Sequence, residues 1–234
     1  MSLIEVKDVK KVYQTGEVAV TALKGIDIDI DSGTFVSFIG PSGSGKTTLL
    51  NLIGCLDKPT DGKVMINDVE VNRLDRKDAA KFRGDNIGFI FQNFNLLPVL
   101  TAYENVEYPL IMVQNVPKNE RRERILSLLE KVGVLDQKDK YPSQLSGGQK
   151  QRVAVARALV TNSKVVLADE PTANLDHETA YKVIDIMRDM KDEFGTTFIF
   201  STHDSKLVSE VEIIYTLEDG LIIDRKVQKS QEGN

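Results

Sequence analysis

The sequence has little of what metal centres, disulfide scaffolds and membrane spans require. Its 234 residues contain one cysteine, Cys55, which excludes an intrachain disulfide and any multi-cysteine metal site. Two histidines, His177 and His203, leave little material for a histidine-based cluster. No apolar run approaches the roughly 20 residues of a membrane-crossing helix; the longest, such as 35–39 and 165–168, are strand-sized. Positive charge is not in excess. Thirty Lys and Arg face 35 Asp and Glu, and the net charge of −5 argues against a broadly basic nucleic-acid surface, though not against a local patch. No repeat and no low-complexity segment interrupts the chain. Residues 1–10 mix charged and apolar side chains and do not read as a secretory signal, so the chain is expected in the cytoplasm. The polar last eight residues, 227–234, are expected to fray.

What is present is an apolar fraction of 41%, enough in a chain of this length for a sizeable core. Strand-like and helix-like stretches alternate, which predicts an α/β fold. Residues 35–39, 87–91, 165–168 and 197–200 are short, nearly continuous apolar runs, the pattern of buried parallel strands. Helices are expected from Lys46 to about Gly54, over 104–114 and over 149–161. Ile125, Leu128, Leu129 and Val132 mark one face of another helix. Val183, Met187, Met190 and Phe194 mark a long amphipathic one. Residues 4–12, 26–30 and 63–71 suggest antiparallel strands beside the core. Cys55, among Leu52, Ile53 and Leu56, is expected to be a small buried residue.

Gly40, Pro41, Ser42, Gly43, Ser44, Gly45, Lys46 and Thr47 fit the pattern G-x-x-x-x-G-K-[ST] between a strand and a helix. Glycines there let successive N–H groups turn inward onto phosphate oxygens, and the following helix adds its positive end. Lys46 is expected to reach the β- and γ-phosphates, and the Thr47 hydroxyl to ligate Mg²⁺. The strand 165–168 ends in Asp169 and Glu170. Asp169 suits Mg²⁺, and Glu170 could orient or deprotonate an attacking water.

Leu145, Ser146, Gly147, Gly148 and Gln149 complete a series with these motifs. On them the chain resembles the ATPase subunits of ABC transporters. The resemblance implies a P-loop, RecA-like parallel-sheet core with an antiparallel β subdomain and an inserted helical subdomain. It implies one domain over 1–234, with 1–92 and 164–234 as the nucleotide-binding core and 93–163 as the helical signature subdomain. Tyr13 matches the aromatic residue that stacks on adenine. Gly40 to Thr47, with Thr48, match the ATP-binding loop. Gln92 matches the residue that joins core and helical subdomain and contributes to catalysis and to Mg²⁺, with Thr47 and Asp169. Glu170 and His203 match the catalytic carboxylate and the switch histidine. Ser146 to Gln149 match the segment that closes on ATP held by a second subunit, and Asp176 matches a dimer contact. No motif residue departs from the hydrolytic pattern.

The resemblance therefore implies an ATP hydrolase using Mg²⁺ that closes as a homodimer and powers integral-membrane permease subunits. Those subunits would hold it on the cytoplasmic side of the membrane. Residues 51–59 and 91–98 resemble the branch of lipoprotein release and macrolide export; they also resemble amino-acid importers and a cell-division relative. Phe94, Leu96, Leu97 and Pro98 offer apolar groups for a partner helix or for local packing. A cassette acting on chromosomes would carry a long coiled coil between Thr47 and Leu145, and no sustained heptads occur there. One acting in translation would carry two cassettes. A GTPase switch would need Asn-Lys-x-Asp, which is absent. No nucleic-acid partner is expected.

Overall fold

The computed structural model describes residues 2–16, 18–203, 208 and 211–228. Of the tail expected to fray, 229–234 lie outside the described residues. The chain forms two compact units, Met1–Ala80 with Thr197–Asn234, and Lys81–Thr196.

In the first unit, β1 (Ser2–Thr15) and β2 (Val18–Asp31) form a long antiparallel hairpin. The other edge of β1 pairs with β4 (Asp61–Ile66), which turns back into β5 (Val69–Glu70). Ile26, Ile28 and Ile30 of β2 are buried while Asp27, Asp29 and Asp31 are exposed, the period-two signature of a half-covered sheet. Beyond that stretch Val18 and Val20 lie exposed, so ladder hydrogen bonds extend the hairpin where no apolar alternation announces it. The strand expected over 63–71 is broken. Asn67 and Asp68 both adopt positive φ (49° and 64°), as a two-residue hairpin turn demands, and Val71 opens a 3₁₀ turn.

A second set of strands in this unit is parallel. β3 (Phe35–Ile39) runs between β8 (Thr197–Thr202) and β9 (Ile213–Glu218), and β10 (Leu221–Val227) returns antiparallel along β9. The buried rings of Phe35, Phe38, Phe198 and Phe200 fill its core, with Phe35 and Phe200 at 5.2 Å between centroids. β10 is almost entirely exposed even though it opens on three consecutive apolar residues, Leu221, Ile222 and Ile223. α1 (Lys46–Ile53) buries Leu49, Leu52 and Ile53. Cys55 departs from expectation: it is half-buried, because the chain leaves α1 through a left-handed turn at Cys55 (φ 54°) that also exposes Leu56.

α2 (Arg76–Asn86) spans the division between the units and buries only Ala79, so no apolar period reveals it. In the second unit β6 (Ile87–Phe91) lies parallel to β7 (Val165–Asp169). α3 (Ala102–Met112) starts two residues earlier than expected because Thr101 and Glu104 cap it reciprocally, at 3.2 and 2.8 Å. α4 (Lys118–Lys131) buries Ile125, Leu128 and Leu129, with Val132 just beyond it, as the period implied. α5 (Gly147–Leu159) is buried along most of its length. α6 (His177–Phe194) buries Val183, Met187 and Met190, but Phe194 is 44% exposed. It is the last helical residue, Gly195 ends the helix behind it (φ 63°), and its ring meets the Lys131 ammonium at 5.8 Å.

β6 and α5 meet at Gly88, where a Cβ would fall 2.2 Å from the carbonyl oxygen of Ala158. Backbone cannot yield as a side-chain tip can. Gly88→Ala should therefore destabilise the chain by about 1–3 kcal/mol, the range of overpacked cores, read as a lowered urea midpoint at unchanged slope.

Candidate functional site

The parallel strands of the first unit end together. Ile39 of β3 pairs with Thr202 of β8, so Gly40 and His203 leave neighbouring strand ends, the edge at which open α/β sheets bind ligands. His203 is exposed there. The loop that begins at Gly40 is tight. A Cβ on Gly40 (φ 145°) would fall 2.0 Å from the Leu217 carbonyl oxygen. One on Gly45 (φ 105°) would fall 2.7 Å from Leu23 Cδ2. Gly45 caps α1, and Gly220 N–H donates to the Ser44 carbonyl at 3.1 Å, bracing the loop from behind. Pro41, Ser42 and Gly43 form its exposed crest, with Thr47 exposed and Thr48 half-buried at the helix start.

Lys46 is buried in this loop, its Nζ donating to the carbonyls of Gly40 (2.8 Å) and Pro41 (2.9 Å). The buried Ser44 hydroxyl has no hydrogen-bond partner among the described residues. A cation held by main-chain carbonyls, a hydroxyl with no partner among the described residues and a helix N-terminus make a cradle for an anion. Tyr13, near the end of β1, donates through its hydroxyl to Asp57 Oδ2 at 2.9 Å, in the segment that follows α1.

The second unit holds the other expected residues. Phe91 pairs with Asp169, so Gln92 and Glu170 also leave adjacent strand ends. Asp169 and Glu170 are half-buried, and Glu170 adopts a left-handed φ of 46°, an uncommon conformation for a carboxylate residue outside glycine-rich turns. Asn174 Nδ2 donates to the Gln92 carbonyl (2.9 Å) and to Asn93 Oδ1 (3.0 Å), tying the loop after β6 to the loop after β7. Ser146 caps α5: its Oγ accepts from Gln149 N–H (3.3 Å), and Gln149 Oε1 accepts from Ser146 N–H (2.8 Å). Gly147 and Gly148 form the first turn of α5. A Cβ on Gly148 would fall 2.4 Å from Thr179 Cγ2, so this turn packs directly against the start of α6. Asp176 caps α6, accepting from Thr179 N–H at 3.0 Å, and the hydrogen bonds from Thr179 hold its carboxyl below the usual range. The structure thus groups Tyr13, Gly40 to Thr48 and His203 in one unit. It groups Gln92, Ser146 to Gln149, Asp169, Glu170 and Asp176 in the other.

Two residues here escaped sequence reasoning. Arg157 lies among the buried Val153, Ala154, Val155, Ala156, Ala158 and Leu159 of α5, and a charge in such a run was the available signal. Its guanidinium donates to the carbonyls of Phe94 (2.8 Å) and Asn95 (2.5 Å), and burial pushes its pKa down to about 10. Phe94 and Asn95 both hold positive φ, 61° and 48°. Asn105, which is buried, donates to the carbonyls of Leu97, Leu100 and Thr101 and accepts from Leu97 N–H at 2.7 Å. Along this clamped stretch Phe94 and Leu96 are half-buried while Leu97 and Pro98 are exposed.

Among the described residues no group of three or more His, Cys, Asp or Glu is placed to hold a metal, and no helix is long and apolar enough to cross a membrane. The oxygens of Thr47, Gln92 and Asp169 are hard donors. Mg²⁺ takes such donors, usually one or two carboxylates together with substrate phosphates.

The family model described as ABC transporter matches residues 23–173. The ABC transporter ATP-binding protein MJ0796 of Methanocaldococcus jannaschii is 48% identical over 222 residues, covering 93% of this chain and 94% of its own. The macrolide export ATP-binding/permease protein MacB of Syntrophobacter fumaroxidans is 45% identical over 223 residues, which are 95% of this chain and 31% of that protein. A solved dimeric structure of the cassette MJ0796, in a post-hydrolysis state bound to ADP and Pi, superposes with a TM-score of 0.89 at 44% identity, over 97% of this chain and 99% of that one.

The Arg157 clamp is testable without any ligand. Arg157→Met keeps bulk but removes both donors, so amide exchange over 94–97 should accelerate by about tenfold, the weight of hydrogen bonds from a charged group. Protection in β6 should not change. Unaltered exchange over 94–97 would remove Arg157 from this role.

Proposed function

Because the chain belongs to the ABC transporter family and is an ATPase of that family, we propose that it drives integral-membrane permease subunits from the cytoplasmic face of the membrane. The observation that carries this reading is the loop at Gly40–Thr48. It is a tight anion cradle whose lysine sits inside it and donates to carbonyls that phosphate oxygens can replace as its partners. Its companions are the capped start of α5 at Ser146 and the paired strand ends carrying Gln92 and Glu170.

In this reading Tyr13 stacks on the adenine, and the N–H groups of Gly43 to Thr48 with Lys46 hold the phosphates. Thr47, Gln92 and Asp169 hold Mg²⁺, which, when bound, neutralises phosphate charge. Glu170 takes a proton from the attacking water, and His203 contacts the γ-phosphate. Ser146, Gly147 and Gly148, with Gln149 bracing them, present a helix N-terminus to the γ-phosphate held by a second copy. Two copies then close head to tail on two nucleotides, with Asp176 at the contact. Closure and reopening are the two states that do work on the permease. Residues 93–163 act as the helical subdomain, and Leu97 and Pro98 face the partner. The export and lipoprotein-release branch is favoured by likeness to a relative that is named for macrolide export and unites ATP-binding and permease functions.

Two variants test this. Lys46→Ala removes the charge facing the β- and γ-phosphates, so ATPase activity should fall to background and ATP affinity should weaken; near wild-type turnover would exclude the assignment. Glu170→Gln keeps shape but cannot accept a proton, and it removes a negative charge beside each triphosphate. It should run as a monomer alone or with ADP and as a dimer with ATP in light scattering after size exclusion. Adding Ser146→Arg should abolish that dimer. Wild-type hydrolysis by Glu170→Gln would exclude the role given to Glu170.

A further inference from the structure

Tyr13 is not a free ring. Its hydroxyl donates to Asp57 Oδ2 at 2.9 Å. Lys11, two residues earlier on β1, donates to Asp57 Oδ1 and to the Lys58 carbonyl, each at 2.7 Å. The same ammonium lies 4.7 Å from the centroid of the Tyr13 ring, so a cation covers one of the ring's two faces. The Lys11 side chain is only 12% exposed, a strong commitment for a lysine. Asp57 is fixed in turn by the N–H of Lys58 at 2.7 Å. Its carboxyl is pulled up by burial, but the bonds from Lys11, Lys58 N–H and Tyr13 outweigh this and hold it below the usual range. Burial and the bond to Asp57 push the Tyr13 hydroxyl up.

Location gives the arrangement its meaning. Asp57 lies in the segment that leaves α1, the helix that the phosphate loop begins. That segment is stitched to β1 a second time, through Thr60 N–H to the Lys10 carbonyl (2.8 Å) and Val12 N–H to Thr60 Oγ1 (3.0 Å). The segment that follows the phosphate-loop helix therefore holds the ring through Asp57. An unheld, partly exposed tyrosine would lose rotamer freedom when a base stacked on it, and that loss would weaken binding. Here the freedom is already lost.

We propose that Lys11 and Asp57 are positioning residues for nucleotide binding: they lock Tyr13 as a one-faced platform at a set distance from the phosphate loop, so that base and phosphates are engaged together. This rests on the reading that Tyr13 stacks on the base. Stacking alone uses only the ring, and it makes the hydroxyl dispensable. The lock makes the hydroxyl matter.

Calorimetric titration of the full chain with ADP and with inorganic pyrophosphate separates the two ideas, because pyrophosphate occupies the loop without a base. Tyr13→Phe and Asp57→Ala should each weaken ADP about fivefold, the weight of one net hydrogen bond, and leave pyrophosphate unchanged. The double variant Tyr13→Phe with Asp57→Ala should be no weaker than Asp57→Ala alone. In a Tyr13→Ala background, Asp57→Ala should cost nothing more for ADP. Wild-type ADP affinity in Tyr13→Phe, additive losses, or a parallel loss of pyrophosphate overturns the proposal. If Tyr13→Ala weakens ADP while Tyr13→Phe does not, stacking stands and the lock falls. If Tyr13→Ala itself leaves ADP unchanged, both fall. Should Asp57→Ala fail to fold, Tyr13→Phe decides alone, since it removes a single oxygen from an exposed site.

Discussion

The first unit is organised around a near-collision of backbones. At Gly40 the loop before α1 passes so close to the Leu217 carbonyl that a side chain has no room, and at Gly45 it meets Leu23 and the Ala22 carbonyl. Gly220, in the turn between β9 and β10, approaches the same Ala22 carbonyl, with 2.7 Å to a notional Cβ, and donates to Ser44. Three glycines thus bring β2, the β9–β10 turn and the loop into one contact. The loop's shape is set by main chain on main chain, which side-chain motion cannot blur. The alignment of its N–H groups, the burial of Lys46 and the start of α1 all follow from that contact.

In each unit a cation is held by the main chain. Lys46 and Arg157 are both bonded to main-chain carbonyls. A carboxylate partner would neutralise the charge and fix it in place. Carbonyls satisfy the donors and leave the positive potential standing. At Lys46 that potential faces the loop where an anion would sit. At Arg157 the planar fork holds two consecutive carbonyls whose residues, Phe94 and Asn95, lie in left-handed conformations.

Much of this was legible in the sequence for a physical reason. Motifs such as Gly40–Thr47 and Ser146–Gln149 record demands of the backbone, and only certain residues meet them. Buried strands such as 35–39 and 87–91 record burial on both faces. Elements with neither demand were harder to read: α2 buries only Ala79, and β10, apolar over 221–223, is nevertheless exposed along nearly its whole length. Phe194 matched the helical period yet fell at the helix end, where the period no longer dictates burial. Asp57 was illegible because its partner Tyr13 is 44 residues away and a single aspartate after a helix has many uses. Arg157 could have been noticed, as a charge inside an apolar helix, but what it holds could not.

The segment 94–98 is pinned by Arg157 at Phe94 and Asn95 and by Asn105 at Leu97, while the side chains of Leu97 and Pro98 stay exposed. Such a segment behaves as a short strut. A force applied at Leu97 finds little slack to take up, and passes into α5 through the guanidinium and into α3 through the buried amide. Compliance is low where the chain lacks regular secondary structure, so stiffness here belongs to two side chains rather than to any helix or strand.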